Sequence, residues 1–344
     1  MHAANAISNI LLIRLDHMGD AILAAPMLDS LVAAFPQAHI TCMASSRSAP
    51  VFEHDPRVKR VMQFDLQGTT RQEKWKMAQW VRTQKFDLVI SLTEKFWAAM
   101  WSLASGSPLR IGFDAGIRQP LHFLWRWPSY THRIEMKNDP FVASPLHEVE
   151  RYMQLLEPVG IRQQAGPLKV HTEPAASIWA KEYLAGLKLL PDAIPVGFHF
   201  SALWGGEGWP QAVQSQIVQA LLAMDERIVV IGTAGPGEAG MMAQLTESLP
   251  RNRFHLCQGM SFSQWVELVR QLQVYVSFET GSAHISAAAC VPTVMVFPYE
   301  GFIHRSTRWR PWGVPYRMLQ RPPIDSANAR DFITGIVANL EELI

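Results

Sequence analysis

The fold is decided by a stretch near the start of the chain, Asn9-Ile10-Leu11-Leu12-Ile13-Arg14-Leu15-Asp16-His17-Met18-Gly19-Asp20. The apolar run that ends at Leu15 predicts a buried strand, and the apolar residues after Asp20 predict a helix. Between them we expect a tight turn at Gly19, with Asp20 placed at the turn. Ligands of open α/β sheets bind beyond the carboxyl ends of strands, so Asp20 is expected to point into a cleft. The alternative is that Asp20 only caps the helix, where the helix dipole favours its charge.

The alternation of strand and helix continues along the chain. Short apolar runs bounded by turn residues alternate with amphipathic segments, which is typical of β-α-β units and a parallel sheet. The predicted strands are 10–15, 39–44, 58–64 and 87–92, then 195–201, 227–233, 274–278 and 293–297. The predicted helices are 21–34, 72–83, 95–104, 211–224, 238–248, 263–272 and 282–289. Segment 164–174 lacks a periodic core pattern, so we expect a linker there between two α/β domains.

Composition indicates a globular protein and argues against several other classes. The chain has 344 residues, enough for two domains with separate cores, and 48% of them are hydrophobic and 18% charged. Cys42, Cys257 and Cys290 lie in apolar runs without C-x-x-C spacing, which favours a reduced cytoplasm over zinc sites or disulfides. We find no signal peptide and no apolar run of the ~20 residues that a membrane span needs, so a cytoplasmic protein is expected.

The net charge of +1 conceals an uneven distribution. Residues 1–170 carry 19 Lys and Arg against 15 Asp and Glu, whereas residues 171–344 carry 12 against 15. The first half is therefore expected to bind an anionic partner. Nucleic acid fits poorly, because the whole chain is near neutral and no nucleic-acid motif is present.

A second informative stretch is Glu279-Thr280-Gly281-Ser282-Ala283-His284, directly after the predicted strand 274–278. It predicts a helix of small residues whose first N–H groups and dipole suit a phosphate. A diphosphate leaving group would be stabilised there without a metal. The alternative is an ordinary helix start, in which Thr280 or Ser282 caps the first amides and His284 is a core histidine.

These motifs resemble those of the ADP-heptose:lipopolysaccharide heptosyltransferases, glycosyltransferase family 9. The main elements are Arg14-x-Asp16-x-x-Gly19-Asp20 near the start and Glu279-Thr280-Gly281-x-x-His284 with Pro292-Thr293-Val294 near the end. Further fragments follow the family's order, namely Arg110-x-Gly112-Phe113-Asp114, His147-x-x-x-Arg151, Trp209-Pro210, Gln258-Gly259-Met260-Ser261 and Arg310-Pro311-Trp312-Gly313. The resemblance therefore covers nearly the whole chain.

The resemblance implies the GT-B fold, an α/β architecture in which two Rossmann-like domains have parallel sheets facing a central cleft. Residues 1–168 are then expected to bind the acceptor and residues 169–344 the nucleotide sugar, with the last helix a candidate to pack back on the first domain. The resemblance also implies inversion of the anomeric centre without a metal or other cofactor.

Individual residues receive roles from the same resemblance. Asp20 resembles the catalytic base, and one base suffices for single-displacement inversion because it accepts the proton of the attacking hydroxyl. Met260 matches a position beside the adenine, and Glu238 lies near the family's acidic residue for the ribose hydroxyls. The candidate donor-binding residues are then Thr280, Gly281, Ser282, His284, Glu279, Met260 and Glu238.

Two positions depart from the family's pattern. Glu279 stands where members usually have Asp, and Glu207 stands where they place a Lys that meets the donor diphosphate. A carboxylate repels a diphosphate, so the loop is displaced, another cation substitutes, or the donor differs. Arg305, Arg308 and Arg310 are candidates for that cation, and scattered surface arginines are the alternative.

Basic and aromatic residues interleave between 116 and 137. This composition suits an anionic bilayer surface and a lipid A-type acceptor with its phosphates and carboxylates, and a solvated loop is the alternative. Lys95, after the strand 87–92, is a candidate contact to an acceptor carboxylate or only a helix-start lysine. The candidate acceptor-binding residues are Lys95, Arg118, Arg126, Arg133 and His147.

The sequence thus predicts an inverting glycosyltransferase that transfers a heptose from ADP-heptose to the lipopolysaccharide inner core, with Kdo-lipid A or heptosyl-Kdo-lipid A as acceptor. It is expected to act as a peripheral protein at the cytoplasmic face of the inner membrane. Three alternatives stay open: a family relative with another nucleotide sugar or acceptor, a non-catalytic nucleotide- or glycan-binding protein of the same fold, and a sugar-nucleotide epimerase of similar architecture.

Overall fold

The structure is a computed structural model that describes residues 7–114, 128–135, 146–235, 237–323 and 326–344. The chain divides into two compact units, unit 1 (Met1–His171) and unit 2 (Thr172–Ile344). Each unit contains one six-stranded sheet whose paired strands are all parallel. The predicted α/β class is therefore confirmed.

Unit 1 is a doubly wound sheet with the strand order β3-β2-β1-β4-β5-β6. Its strands are β1 (Asn9–Arg14), β2 (His39–Ala44), β3 (Arg60–Gln63), β4 (Leu88–Ser91), β5 (Leu109–Asp114) and β6 (His132–Glu135). The described helices are α1 (Met18–Leu23), α2 (Ala25–Ala34), α3 (Arg71–Thr83), α4 (Phe96–Ser105) and α5 (Glu148–Gln154). The strand order reverses between β1 and β4, and ligands of such sheets bind beyond the strand ends at this switch point.

Unit 2 repeats this topology with the order β12-β11-β10-β7-β8-β9. Its strands are β7 (Ile194–Phe200), β8 (Ile228–Ala234), β9 (Phe254–Cys257), β10 (Val274–Phe278), β11 (Thr293–Phe297) and β12 (Tyr316–Gln320). The described helices are α6 (Pro174–Gly186), α7 (Val213–Met224), α8 (Ala239–Thr246), α9 (Phe262–Val269), α10 (Gly281–Ala288), α11 (Phe302–Trp309) and α12 (Ser326–Glu341). The switch point of this sheet lies between β7 and β10.

The sheets are held by apolar central strands buried on both faces. Ile10, Leu11 and Ile13 of β1 are inaccessible to solvent, as are Val196 and Phe198 of β7. Each such side chain contributes about 1.5–3 kcal/mol on burial, and near-continuous apolar runs are typical of parallel strands covered on both sides. The polar residues that follow these strands are therefore positioned by rigid elements.

The last helix, α12, packs within unit 2. Its Phe332, Ile336 and Leu340 are buried in the core of that unit. The Phe332 ring meets the ring of Trp209 edge-on at a centroid distance of 5.0 Å. The helix thus closes one face of the β7–β12 sheet.

The predicted strands 39–44, 274–278 and 293–297 have the observed bounds. The single helix predicted at 21–34 is wrong, because α1 and α2 are separate helices that meet at Ala24. Pro26 lies in the first turn of α2, where its missing N–H costs no helical hydrogen bond. The predicted glycine turn is also wrong, since Gly19 is a buried residue inside α1.

Candidate functional site

The carboxylate of Asp20 is held by an arginine at the end of β1. Arg14 is buried, and its Nη2 lies 2.8 Å from Oδ2 of Asp20. Its Nη1 donates to the carbonyl of Leu92, and its guanidinium lies 5.3 Å from the ring centroid of Tyr152. Burial lowers the pKa of Arg14, but Tyr152, Asp20 and Asp16 raise it by more, so the guanidinium stays charged. The ion pair therefore fixes the orientation of the Asp20 carboxylate.

Asp16 and Lys95 complete this Asp20 cluster. Oδ2 of Asp16 lies 3.7 Å from Nη1 of Arg14, and its Oδ1 lies 3.5 Å from Nζ of Lys95. Lys95 follows β4, the neighbour of β1, so the cluster lies at the switch point of unit 1. Among the described residues, Arg14 is the only cation within ion-pair distance of Asp20, whose side chain is 23% exposed. Oδ1 of Asp20 thus has no ion-pair partner among the described residues, whereas both oxygens of Asp16 face cations.

Asp20 does not cap α1. The N-cap residue is His17, which makes no side-chain cap hydrogen bond, and Asp20 lies in the first turn. The alternative in which Asp20 only caps the helix is therefore wrong. Its charge is still favoured by the nearby positive end of the helix dipole.

The candidate acceptor-binding residues of unit 1 occupy different environments. Arg118 and Arg126 lie outside the described residues. Lys95 is exposed at the start of α4 and belongs to the Asp20 cluster, and Arg133 is half-buried in β6. His147 is buried at the N-cap of α5, where its Nδ1 accepts from the N–H of Val149 at 3.2 Å. This capping role argues against direct contact between His147 and an acceptor.

In unit 2, the N-terminus of α10 follows β10 directly at the switch point. Thr280 is the N-cap residue and makes no side-chain cap hydrogen bond. Its Oγ1 lies 2.6 Å from Oγ of Ser282, which lies 2.6 Å from Oγ of Ser277. The alternative in which Thr280 or Ser282 caps the first amides is therefore wrong. Since no described residue accepts from the N–H groups of Gly281 and Ser282, these amides can bind an anion.

A cation lies beside this helix start. Nη1 of Arg305, an exposed residue of α11, lies 2.8 Å from Oε2 of Glu279. Burial raises the pKa of Glu279, and Arg305 offsets part of that rise. The other two candidate arginines have different contacts, because Arg308 lies over the ring of Trp309 and Arg310 donates to the carbonyl of Thr307. Arg305 is thus the candidate that reaches the loop before α10.

Glu207, the most unexpected residue of the sequence, is bound within unit 2. Its Oε2 lies 2.8 Å from Nη2 of Arg321 and accepts from the N–H of Tyr299 at 3.0 Å, while Oε1 accepts from the N–H of Glu300 at 3.1 Å. Burial raises the pKa of Glu207, but Arg321 and the two amides lower it by more. The carboxylate therefore ties the loop after β7 to the loop after β11, and its charge is compensated inside the unit.

Arg321 was not singled out from the sequence. It is buried, its Nη1 donates to the carbonyls of Leu203 and Trp204, and its guanidinium lies 4.7 Å from the ring centroid of Phe278. Nothing local marks it, because its carboxylate partner lies 114 residues away.

Glu238 and Met260 lie in loops that follow neighbouring strands. Oε1 of Glu238 accepts from the N–H of Ala202 at 2.9 Å and Oε2 accepts from the N–H of Gly235 at 2.8 Å, so Glu238 braces the loops after β7 and β8. Each oxygen retains a lone pair for a further donor. Met260 is half-buried between β9 and α9, and His284 is buried inside α10.

A buried polar chain crosses the centre of the unit 2 sheet, and the sequence did not reveal it. Nδ1 of His199 in β7 lies 3.1 Å from Oγ1 of Thr233 in β8, which lies 2.6 Å from Oη of Tyr275 in β10. The His199 ring stacks on Trp265 at 5.3 Å. Burial lowers the pKa of His199 to about 4, so its imidazole is neutral at pH 7. Burial likewise raises the pKa of Tyr275 to about 12.

The described ranges contain neither a group of candidate metal ligands nor a helix that could span a membrane. In those ranges no three His, Cys, Asp or Glu side chains are grouped so that they could hold a metal ion, and metal independence stays an expectation. None of the described helices combines the length and apolarity needed to cross a bilayer.

Known proteins of one family resemble this chain in sequence and in topology. The family model described as glycosyltransferase family 9 (heptosyltransferase) matches residues 74–329. Lipopolysaccharide heptosyltransferase 3 of Escherichia coli is 23% identical over 308 residues, which cover 86% of this chain and 83% of that protein.

Solved structures of the family have the same fold. The glycosyl transferase family 9 protein of Veillonella parvula DSM 2008 matches with a TM-score of 0.82 and 18% identity over 99% of this chain and 98% of that one. ADP-heptose LPS heptosyltransferase II of E. coli matches with a TM-score of 0.76 and 20% identity over 97% and 98%. These likenesses confirm the predicted GT-B-like fold of two Rossmann-like α/β domains. Because the family model matches well over half of the chain, this protein is a glycosyltransferase and belongs to glycosyltransferase family 9, the heptosyltransferases.

Proposed function

We propose that this enzyme transfers a heptose from ADP-heptose to the inner core of lipopolysaccharide, with Kdo-lipid A or heptosyl-Kdo-lipid A as acceptor. Family membership supports this proposal, and so do relatives whose names specify lipopolysaccharide and ADP-heptose. In this proposal unit 1 binds the acceptor and unit 2 binds the nucleotide sugar. Family membership does not favour the epimerase alternative.

The observation that carries the proposal is the carboxylate of Asp20, which is held in one orientation by an ion pair to only one of its two oxygens. Arg14 holds one oxygen at 2.8 Å, and the other has no cation beside it among the described residues. A general base needs an oxygen within about 2.6–3.2 Å of the hydroxyl that it deprotonates, and it needs a defined orientation. Asp16 meets this requirement less well because both of its oxygens face cations.

The reaction is a single displacement. The oxygen of the acceptor hydroxyl forms a bond to the anomeric carbon of the heptose, and Asp20 takes the proton of that hydroxyl. The bond between that carbon and the diphosphate oxygen breaks on the opposite face, and ADP leaves with the electron pair. The configuration inverts, and no covalent enzyme intermediate is needed.

On the donor side, the start of α10 takes the diphosphate. The N–H groups of Gly281 and Ser282 and the helix dipole stabilise the charge that develops on the departing ADP. Arg305 takes the place of the family's Lys: it leaves its ion pair with Glu279 and binds the donor diphosphate instead. Thr280 and His284 line this loop, and Glu238 and Met260 bind the ribose and the adenine.

On the acceptor side, Lys95 and Arg133 supply positive charge for the phosphates and carboxylates of the lipid-linked acceptor. The same proposal places the protein at the cytoplasmic face of the inner membrane, bound peripherally to an anionic surface. Arg118 and Arg126 are further candidates for binding the acceptor, and only the sequence supports them because they lie outside the described residues.

A donor panel tests the proposal. ADP-heptose, UDP-sugars and GDP-sugars are offered with a heptose-deficient lipid acceptor to the wild type and to Asp20→Ala. We expect turnover with ADP-heptose only and loss of that turnover in Asp20→Ala, while calorimetry shows tighter binding of ADP than of UDP. The unusual acids at Glu207 and Glu279 make a different nucleotide sugar the specific competitor, and preferential use of a UDP- or GDP-sugar would establish it in place of ADP-heptose.

A further inference from the structure

We propose that the outer surface of helices α3 and α4 docks this protein on an anionic lipid bilayer. This α3–α4 surface is defined by Trp75, Phe96, Met100 and Leu103 together with the basic residues Arg71 and Lys76, all of them exposed or half-exposed. The inference rests on the proposed function, since a lipid-linked acceptor is reached at a membrane. It adds the part of the chain that makes the contact.

Helix α4 is apolar on its outer face as well as its inner one. Its sequence, FWAAMWSLAS, contains no charged residue, and Trp101 on the inner face is buried in the core of unit 1. Phe96, Met100 and Leu103 follow the spacing i, i+4, i+7 and therefore line the opposite, accessible face. The outer face of a surface helix is normally polar. Phe96 also meets the ring of Trp97 edge-on at 5.5 Å, and the exposed parts of Phe96, Met100 and Leu103 form an apolar patch of the kind that marks contact with another protein or a membrane.

Helix α3 adds a fixed aromatic ring to this stripe. Trp75 is 60% exposed, and its ring meets Trp97 of α4 edge-on at 5.7 Å. Nε1 of Trp101 donates to the carbonyl of Lys74 at 2.9 Å, which holds the two helices together. Tryptophan is enriched at the level of lipid headgroups, where its ring is partly apolar and its N–H stays wet.

The charge of α3 identifies the bilayer as anionic. The helix contains Arg71, Lys74, Lys76 and Arg82 against the single acid Glu73, a net charge of +3 from four cations and one anion. The Glu73 carboxylate accepts from the N–H and the hydroxyl of Thr70 in a capping box, so it is engaged at the helix start. Arg71 lies one turn before Trp75 on the same side of the helix. Cations beside exposed aromatics complement phosphate-bearing headgroups.

The surface is continuous with the Asp20 cluster. Lys95, whose Nζ lies 3.5 Å from Oδ1 of Asp16, directly precedes Phe96 in the chain. A bilayer in contact with α4 therefore places lipid headgroups next to the residue that links α4 to Asp16. An acceptor sugar attached to such a lipid would be presented beside Asp20.

Vesicle flotation tests this inference directly. The wild type is mixed with phosphatidylglycerol–phosphatidylcholine vesicles and with phosphatidylcholine vesicles at low and high salt. We expect binding to the anionic vesicles that weakens with salt, and little binding to the neutral ones. In Trp75→Ser/Leu103→Ser we expect vesicle affinity to fall by about tenfold or more, because apolar area is lost from the contact. Arg71→Gln/Lys76→Gln should lose mainly the salt-dependent part.

The matched control is Ile178→Ser, on α6, because Ile178 is 60% exposed like Trp75. It should bind vesicles like the wild type. All variants should unfold cooperatively above the assay temperature, although Trp75→Ser/Leu103→Ser loses the contact between Trp75 and Trp97. The inference is wrong if the wild type does not bind anionic vesicles at low salt. It is equally wrong if Trp75→Ser/Leu103→Ser binds them as well as the wild type. A change in the self-association of that variant in light scattering would then assign the surface to contacts between copies of this chain.

Failure of the docking inference and failure of the proposed function give different results. Transfer to a water-soluble core oligosaccharide needs no membrane, so Trp75→Ser/Leu103→Ser should keep wild-type turnover on it while losing vesicle binding. Loss of this soluble turnover would contradict a role confined to docking. If the wild type fails to transfer heptose to any acceptor, the proposed function fails, and the vesicle result is judged separately.

Discussion

Replacing Arg321 with methionine should destabilise unit 2 strongly, although Arg321 contacts no proposed substrate. The substitution keeps an unbranched apolar stem and removes the charge that compensates Glu207. It also removes the donors that serve the carbonyls of Leu203 and Trp204 and the contact with the ring of Phe278.

The magnitude follows from burial. Removing one partner of a buried ion pair typically costs about 3–5 kcal/mol, because the other charge is left uncompensated. The Glu207 side chain is 25% exposed and keeps two backbone amide donors. Hydration and these two hydrogen bonds therefore offset part of the cost of leaving its charge without Arg321. The two carbonyls lose their charged donors, which adds about 1 kcal/mol each. With the recovery and the carbonyl cost roughly offsetting each other, we expect Arg321→Met to lower the free energy of unfolding by about 3–5 kcal/mol.

The assay is urea unfolding followed by tryptophan fluorescence and circular dichroism. Arg227→Met is the matched control, because Arg227 pairs with Asp225 on the surface of the same unit and should change the free energy of unfolding little. The double variant Arg321→Met/Glu207→Gln should cost less than the sum of the single changes, since it removes the uncompensated charge. Equal effects of Arg321→Met and Arg227→Met would refute the conclusion that Arg321 compensates Glu207 inside the fold.

Two further predictions concern His199 and Arg305. Burial lowers the pKa of His199 from 6.5 to about 4. Between these two pH values the His199 imidazole is protonated in the unfolded chain and neutral in the folded chain. The stabilising effect is present above pH 6.5 and is lost as the pH falls towards 4. Urea unfolding should therefore show about 2 kcal/mol less stability at pH 5 than at pH 7, and His199→Gln should lack this component. Arg305→Gln should weaken ADP binding by about tenfold in calorimetry, as expected for one charge-assisted contact, and Arg317→Gln, which removes an exposed pair with Glu342, should not. Unchanged ADP affinity in Arg305→Gln would assign the diphosphate cation elsewhere.

The sequence predicted the central strands well because each of them is decided locally. Strands such as 274–278 are closed apolar runs bounded by turn residues, and burial on both faces leaves little choice of structure. Strands interrupted by polar or charged residues are harder to predict, and β5, β6, β9 and β12 were all missed. β12 has the sequence YRMLQ and is only half-buried, so no apolar run marks it. The break between α1 and α2 was missed because small apolar residues continue through Ala24.

The residues of the candidate site also differ in how well the local sequence predicts them. Asp20 and Thr280 could be found because a strand end followed by a helix start is a local pattern. The partners of Glu207 could not be found, because Arg321 lies in another part of the chain and only the folded sheet brings the two together. A carboxylate in place of a lysine therefore suggested repulsion of the donor, whereas the structure shows a brace between two loops. The chain from His199 to Tyr275 was missed for a similar reason, since each residue alone looks like part of a core strand.

The central claim is that Asp20 is the base, and the turnover of Asp20→Asn tests it most directly. Asparagine has nearly the same shape and can still contact Arg14, but it cannot accept the proton of the acceptor hydroxyl. We expect kcat for heptose transfer to fall by about 10²–10⁴-fold while ADP affinity stays at the wild-type value. Asp16→Asn should show a much smaller loss. Wild-type turnover in Asp20→Asn, or the large loss in Asp16→Asn instead, would contradict the account.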